Sequence, residues 1–302
     1  MNLLPFRSLF AGALARVRTA LATRDNWFEA IARGQLNQPT SYQGRLLPGF
    51  PSESIQIGTT GQCGKETLRE AFVFYRDCIR HFRELGAPLD SKHVLLDFGV
   101  GWGRIARFFL RELDIDKIYG IDVNHELIGF CKTAFASNNF SAINPWPPTD
   151  FAAGQFNYVV GYSVFSHLSE KACSAWIKEF HRITAPGAIL ALTTRGRPFL
   201  SYCESLATQN SLAGYPLALS TMFDDFDAAR AGYDRGEFVH SNSEGVSGGG
   251  AMSSEFYGET FISEKYAQSA YSEFFSLERF VFDPMRQTHP ILFFRRSDST
   301  DR

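Results

Sequence analysis

A buried strand that breaks into a glycine-rich turn constrains this chain more than any other segment. Val94-Leu95-Leu96 lead into Asp97-Phe98, and glycine then stands at every second position, at Gly99, Gly101 and Gly103. Such a turn between a strand and a helix lets a ligand lie almost against the backbone, where a Cβ would stand in its way. Unpaired N–H groups at the start of the helix favour an anionic ligand group. The run therefore predicts a site for a ligand that contains a nucleoside.

The spacing of these glycines separates two classes of nucleoside-binding site. A dinucleotide fingerprint needs glycine at the first, third and sixth positions of the turn, but the sixth position from Gly99 is Arg104. Asp97 also stands where dinucleotide sites keep an apolar residue. The pattern resembles motif I of the class I S-adenosylmethionine-dependent methyltransferases, in which an acid precedes a G-x-G-x-G loop.

Further segments downstream resemble the same family. Ile118-Tyr119-Gly120-Ile121-Asp122 is typical of a second strand that ends in an acid, and Asn124 is a suitable N-cap for the next helix. Residues 156–161 resemble the fourth methyltransferase strand, and residues 162–168 resemble the S-V-F-x-H-L segment that follows it. Ser169 is a candidate N-cap for a helix that Pro186-Gly187 ends, and residues 188–194 are predicted as a fifth strand.

The end of the chain predicts an antiparallel strand. Ser263 begins a helix, residues 275–282 and 290–295 are strand-like, and the turn between those two strands is short. Two strands joined in this way pair antiparallel, because a parallel return needs a crossover of a dozen or more residues. The predicted fold is a three-layer α/β/α Rossmann-like sandwich with a seven-stranded, mostly parallel sheet and one antiparallel strand near the C-terminus. A dinucleotide fold would be parallel throughout.

The resemblance implies a binding site for S-adenosyl-L-methionine and no metal. Gly99 and Gly101 would let the cofactor pass close to the backbone, and Gly103 would relieve crowding between helix and strand. Asp97 would reach the methionine amino group, the alternative being a partner for nearby N–H groups. Asp122 would bind the ribose hydroxyls. The adenine and methyl ends of the cofactor would meet Val123, Trp146, Tyr162 and Ser163, although Trp146 is equally typical of a core residue.

The residues around the methyl acceptor are less determined. Histidine is the residue type that changes charge near neutral pH, which makes His167 a candidate general base, but its position also suits a structural role. Candidates that follow it in the chain are His240, Tyr257, Glu259 and Tyr266. Arg104 and Arg107 could meet a carboxylate of the cofactor or of a substrate, while solvated helix arginines are the commoner case. Asn144-Pro145-Trp146 resembles the N-P-P-Y motif of base methyltransferases but follows the wrong strand, so nucleic-acid methylation is disfavoured.

Composition agrees with a small-molecule enzyme of the cytoplasm. The net charge of −2 and the lack of a long basic run favour no nucleic-acid partner. The five cysteines form no C-x-x-C pair, which favours a reduced compartment without a zinc site. Residues 1–24 carry four arginines, no acid and an apolar helical stripe. They predict either a helix that makes weak contact with a membrane surface or a helix docked on the body.

The expected organisation is an N-terminal amphipathic helix with an irregular arm over residues 1–60, followed by a methyltransferase domain over residues 61–302. A long helix from Glu66 to Glu84 opens that domain. Residues 197–258 form an insertion that is either a lid over the substrate or a surface excursion. The predicted reaction is methyl transfer to an O or N atom of a small molecule or glycan precursor. The alternatives are a non-catalytic cofactor-binding protein and a nicotinamide-dependent dehydrogenase.

Overall fold

The structure is a computed structural model that describes residues 25–34, 36–209, 211–247 and 252–297. Residues 1–24, and with them the predicted amphipathic helix, lie outside the described residues. The helices are α1 Asn26–Ala32, α2 Glu53–Thr60, α3 Gly64–Glu84, α4 Ala106–Phe109, α5 His125–Ala134, α6 Glu170–Ile183, α7 Arg197–Leu206, α8 Tyr215–Ser220, α9 Phe226–Arg235 and α10 Glu264–Ala270. The strands are β1 Thr40–Tyr42, β2 Arg45–Leu47, β3 Leu95–Phe98, β4 Ile118–Asp122, β5 Phe140–Ala142, β6 Phe156–Gly161, β7 Thr184–Thr193, β8 Val239–Ser241, β9 Glu259–Phe261, β10 Phe275–Val281 and β11 Ile291–Arg296.

Seven of the strands form one sheet in the order β10-β11-β7-β6-β3-β4-β5. Strand β3 pairs parallel with both β4 and β6, and β4 pairs parallel with β5. Strand β11 runs antiparallel to both of its neighbours, with Phe293 opposite Ala191 of β7 and Arg279 of β10. The predicted Rossmann-like α/β fold, with its antiparallel strand near the C-terminus, is confirmed.

Three predicted helix starts have the capping geometry that their residue types favour. The side chains of Asn124, Ser169 and Ser263 each accept a backbone N–H from the first turn of α5, α6 and α10. These bonds satisfy donors that a helix N-terminus leaves without an intrahelical partner.

The boundary between α6 and β7 differs from the prediction. Pro186-Gly187 does not end the helix, because α6 ends at Ile183 and β7 begins at Thr184. The Thr184 hydroxyl donates to the carbonyl of Phe180 at 2.6 Å, so it closes the last turn of the helix. Pro186 also disfavours helical backbone at the residue before it. The strand therefore starts ahead of the proline.

The sequence predicted an irregular N-terminal arm, but the described part of the arm contains regular secondary structure. It contains α1, a β1–β2 hairpin with Thr40 opposite Leu47, and α2. Trp27 and Phe28 of α1 are buried, and the indole of Trp27 donates to the carbonyl of Phe108 at 2.9 Å. The sequence did not predict this arrangement because the arm is rich in proline and polar residues. Only a few large side chains provide its buried apolar surface.

The helix after the glycine turn is short. Turns occupy residues 101–105, and α4 spans only Ala106–Phe109. The guanidinium of Arg45 donates to the carbonyls of Leu110 at 2.6 Å and Leu113 at 3.0 Å. Side chains of the arm therefore satisfy carbonyl groups that a longer helix would pair internally.

The chain divides into two compact units. The first runs through Ile143 and includes Tyr158–Tyr162 and Pro284–Gln287. The second comprises Asn144–Asn157, Ser163–Asp283 and the residues from Thr288 onward. Among the described residues, no helix is long and apolar enough to cross a membrane.

The insertion belongs to the second unit and is folded rather than a structureless excursion. It contributes α7, α8, α9 and β8, and many of its apolar side chains are buried, among them Phe199, Leu200, Cys203, Leu206, Leu219, Met222 and Phe226. Residues 210 and 248–251 lie outside the described residues.

Candidate active site

The glycine turn between β3 and α4 follows a left-handed path. Gly99, Gly101 and Gly103 have φ values of 72°, 54° and 77°, which glycine adopts without strain. The N–H groups of Gly99 and Val100 both donate to the carbonyl of Ile121, at 2.9 and 3.0 Å. The end of β4 thus fixes the shape of the turn.

Gly101 and Gly103 are needed for different reasons. A Cβ on Gly101 would have no atom within 4 Å, so open space adjoins the backbone there. A Cβ on Gly103 would lie 2.3 Å from a ring carbon of Phe135, the residue that caps α5. Gly103 therefore allows close packing against α5, whereas the sequence predicted relief between helix and strand. The open space at Gly101 is where a ligand can approach the chain.

Asp122 closes the other side of this space. Its carboxylate accepts the N–H of Gly101 at 2.8 Å and the N–H of Asn124 at 2.9 Å. Burial raises the pKa of Asp122, and the N–H groups of Asn124 and Gly101 oppose that rise. The side chain is half-buried, as is that of Val123, which follows it. Each carboxylate oxygen has a second lone pair left for a ligand hydroxyl.

Asp97 lies deeper and already has a partner in the protein. It is 1% exposed, and its carboxylate accepts the N–H of Ala106 at 3.0 Å. Burial raises its pKa to about 7, an effect that the Ala106 N–H and Arg104 oppose. Asp97 therefore has the second of its two predicted roles, as a hydrogen-bond acceptor for an N–H group at the start of α4.

The two arginines after the turn are buried rather than solvated. Arg104 pairs with Glu70 at 3.1 Å, and its guanidinium lies 5.1 Å from the ring centre of Tyr162. Arg107 is fully buried, and its hydrogen-bond partners among the described residues are backbone carbonyls. Its guanidinium lies 4.6 Å from the ring centre of Phe50 and 4.7 Å from that of Trp102.

Arg107 and Trp102 attach the arm to the turn. The Arg107 guanidinium donates to the carbonyls of Gly103 at 3.0 Å and Gly49 at 3.3 Å. The indole of Trp102 donates to the Thr59 hydroxyl, at the end of α2, at 3.1 Å. The arm and α2 therefore help to hold the glycine turn in place.

The second unit contains the remaining predicted residues. Ser163 has an unusual φ of 60°, and its N–H donates to the Thr193 hydroxyl at the end of β7 at 2.7 Å. Trp146 is half-buried, with Lys171 over its ring at 5.1 Å and the ring of Phe256 at 5.4 Å. It is therefore not a fully buried core residue, and its predicted contact with adenine stays a prediction.

His167 lies in a buried polar cluster of the second unit. Its Nδ1 is 2.9 Å from the carbonyl oxygen of Gly258 and 3.1 Å from Oε1 of Glu259. A carbonyl oxygen only accepts hydrogen bonds, so Nδ1 carries the proton of the neutral ring and Nε2 keeps its lone pair. Nε2 lies 3.5 Å from the Ser163 hydroxyl. The ring of Tyr257 stacks on the imidazole at 4.7 Å.

Sequence reasoning missed two members of this cluster, Arg195 and Tyr215. Arg195 lies two residues beyond Thr193, the last residue of β7, and ligands of open α/β sheets usually bind at the carboxyl ends of the strands. That rule could have found Arg195. No local pattern marks Tyr215, because it reaches the cluster only through the fold of the insertion.

The comparisons with known proteins agree with this geometry. A family model described as a methyltransferase domain matches residues 95–187, which include the glycine turn, Asp122 and His167. Residues 95–187 form a methyltransferase domain. Its cofactor is S-adenosyl-L-methionine, and the chain is an enzyme of the methyltransferase class. The comparison with curated proteins finds no match.

Several solved structures are similar to this methyltransferase. A methyltransferase from Mesorhizobium loti is 11% identical with a TM-score of 0.49, over 72% of this chain and 96% of that one. A methyltransferase from Clostridium acetobutylicum is 11% identical with a TM-score of 0.49, over 76% and 92%. Magnesium protoporphyrin IX methyltransferase from Synechocystis with bound SAH is 15% identical with a TM-score of 0.48, over 80% and 92%.

Proposed function

We propose that this methyltransferase acts on an oxygen or nitrogen atom of a small molecule or glycan precursor, with His167 as the general base. The observation that carries the proposal is that Nδ1 of His167 is engaged by Gly258 and Glu259, which leaves Nε2 as the proton acceptor of the neutral ring, with the Ser163 hydroxyl 3.5 Å away. A hydroxyl or N–H group loses a proton when it is methylated, and a neutral imidazole nitrogen can accept it. The near-neutral net charge and the folded insertion with its aromatic side chains suit a small-molecule acceptor.

The cofactor site in the proposal consists of the open space beside Gly101 together with the turn glycines, Asp122, Val123 and Tyr162. When bound, S-adenosyl-L-methionine supplies a methyl group on a positively charged sulfur. The residues of the chain align the reactants and keep water away, which can provide a large part of the rate acceleration. Asp97 would act on the cofactor through the turn and α4 that it holds, rather than by direct contact. Trp146 and Ser163 stay predictions for the same cofactor.

The cofactor part of the proposal is tested with Asp122→Ala. We expect it to weaken S-adenosylmethionine binding at least about tenfold, or about 1.4 kcal/mol, because the ribose hydroxyls lose a charged acceptor. Titration calorimetry measures this affinity. Asp116→Ala removes an exposed carboxylate near the start of β4, and its affinity should match that of the unchanged protein. Equal affinities for both variants would mean that the ribose lies elsewhere.

The acceptor part is tested with His167→Asn and a panel of labelled-methyl assays. The panel contains phenols, catechols, aliphatic alcohols, amines and sugar nucleotides, with mass spectrometry to locate the methyl group. We expect transfer to an O or N atom, and a loss of about 100-fold or more in kcat for His167→Asn with unchanged cofactor affinity. The control is His93→Asn, at a half-buried loop histidine that pairs with Asp90. Methylation of carbon or sulfur atoms alone would contradict the acceptor class.

The rival function is a cofactor-binding protein without catalysis. Intact cofactor affinity with no methylation across the whole panel would support that rival. The location of residues 1–24 at a membrane surface stays a separate proposal, tested by co-sedimentation of the full chain with anionic vesicles.

A further inference from the structure

Strand β9 brings the carboxylate of Glu259 to His167. The N–H groups of Gly258 and Thr260 donate to the carbonyls of His167 at 2.7 Å and Ser166 at 2.8 Å. On its other edge, β9 pairs antiparallel with β8, and Glu259 lies opposite Ser241. Side chains alternate along a strand, so Tyr257 and Glu259 share one face while Gly258 and Thr260 share the other. His167 contacts the face that carries Glu259.

Glu259 is a fully buried carboxylate that remains ionised. It has 0% exposure, and Oε2 accepts the Nε–H of Arg195 at 3.0 Å while Tyr215 donates its hydroxyl to Oε1. Burial alone would raise the pKa of Glu259, but Arg195 and then His167 lower it to about 2. A carboxylate charge is thus kept 3.1 Å from Nδ1 of His167. Screening by salt is weak at a buried site, so this charge acts strongly on the imidazole.

We propose that Glu259 is the positioning residue of His167: it fixes the direction of Nε2 and stabilises the imidazolium that forms when Nε2 takes the acceptor's proton. Tyr215 holds the carboxylate in turn, so α8 of the insertion takes part in assembling the base. This proposal rests on the function proposed above. It assigns to the acceptor an O–H or N–H group. The methyl group would bond to that oxygen or nitrogen as its bond to the cofactor sulfur breaks, the electron pair of that bond would stay on the sulfur as a neutral thioether, and the acceptor's proton would pass to Nε2.

The contacts of Arg195 and His167 indicate that Glu259 has a role beyond a structural ion pair. Arg195 is paired on its far side with Nε2 of His289 at 2.8 Å, so the ion pair is complete without His167. The Nδ1 proton of His167 has an acceptor in Gly258 as well, so Glu259 is not needed to set the tautomer. What Glu259 adds is a negative charge beside a ring that becomes positive during proton transfer.

The titratable and charged groups around His167 come from several elements. Glu259 and Tyr257 lie on the β9 segment, Arg195 follows β7 and Tyr215 belongs to α8. His240 of β8 is hydrogen-bonded to the Thr260 hydroxyl, on the opposite face of β9. Among these groups, Glu259 is the one that contributes a negative charge at neutral pH.

The test is a proton titration of His167, which requires neither cofactor nor acceptor. Nuclear magnetic resonance of histidine-labelled full-length protein follows the ring signals against pH, and the His167→Asn variant assigns the signal of His167. We expect the proton of neutral His167 on Nδ1. In Glu259→Gln we expect the proton affinity of the ring to fall about tenfold or more, since an opposite charge within hydrogen-bond distance is lost.

Two further variants make the outcome decisive. Glu259→Gln leaves Arg195 buried without its counter-ion, which is costly, so the double variant Glu259→Gln/Arg195→Met removes both charges and should fold. Glu259→Asp keeps the charge and should restore most of the proton affinity. Glu204→Gln changes an acid of the insertion that pairs with Arg230 and should leave the titration unaltered.

Two results would overturn the proposal. One is an unchanged titration of His167 in both Glu259→Gln and the double variant, and the other is a neutral ring with its proton on Nε2. Failure of the methyl-transfer proposal would appear separately, in cofactor affinity and in the acceptor panel. Once an acceptor is known, Glu259→Gln should lower kcat with unchanged cofactor affinity, and it should have no further effect in a His167→Asn background.

Discussion

Asp97 shows how a single buried acid makes the stability of the enzyme depend on pH. Its pKa rises from 3.8 to about 7 in the folded chain, mainly because burial disfavours the charged form. The folded state therefore holds this proton at pH values where the unfolded chain has released it. The stability that the protonated group contributes is fully present below pH 4 and is lost as pH rises to about 7.

Asp97→Asn should remove this dependence while keeping an oxygen for the Ala106 N–H. Between pH 4 and 7, we expect the free energy of unfolding to fall more in the unchanged protein than in the variant. The difference between the two falls should be at least about 1 kcal/mol. Denaturant unfolding at a series of pH values measures the difference. Asp116→Asn, at an exposed carboxylate, should give a curve parallel to that of the unchanged protein. Parallel curves for Asp97→Asn as well would show that Asp97 ionises normally.

At the scale of the element, two glycines of the turn are needed for different reasons, Gly103 for folding and Gly101 for ligand binding. Both Gly101→Ala and Gly103→Ala force a side chain into left-handed backbone, which costs on the order of 1 kcal/mol. Only the Gly103 variant also places its Cβ against Phe135. We expect Gly103→Ala to lower the unfolding free energy by about 2–4 kcal/mol, since two packed elements must move apart.

Gly101→Ala should have the opposite profile. Its Cβ meets open space, so the unfolding free energy should fall by only about 1 kcal/mol, while S-adenosylmethionine affinity falls about tenfold or more because the methyl group occupies the ligand's approach. Denaturant unfolding and calorimetry on the same two variants compare both quantities. Equal affinities for the two variants would show that no ligand lies beside Gly101.

At the scale of the whole molecule, the order of the elements could be predicted and the packing of the arm could not. Periodicity and capping residues were sufficient for α5, α6 and the sheet strands, because each has a local signal in the chain. The arm has no such signal. Its helix α1 is short, and its order depends on distant contacts such as that of Trp27 with Phe108.

The candidate site also has a part that could be predicted from the sequence and a part that could not. The glycine turn and Asp122 are neighbours across two parallel strands, so a motif in the sequence indicates their proximity. The cluster around His167 joins residues 163, 195, 215 and 259, which are distant in the sequence and meet only in the folded chain. A solvated position was the commoner of the two expectations for Arg104 and Arg107, because their spacing reveals neither the α3 partners of Arg104 nor the part of the arm that covers Arg107.

The hydrogen bond from the Arg195 N–H to the Thr260 carbonyl has a consequence for how this enzyme could change its substrate during evolution. It holds the two ends of residues 197–258 side by side, and a segment whose ends adjoin can be exchanged for one of another length at a small cost in chain entropy. His167, Arg195 and Glu259 lie outside that segment, whereas Tyr215 lies within it. Replacement of the whole segment would change acceptor selectivity while His167 and Glu259 stayed in place.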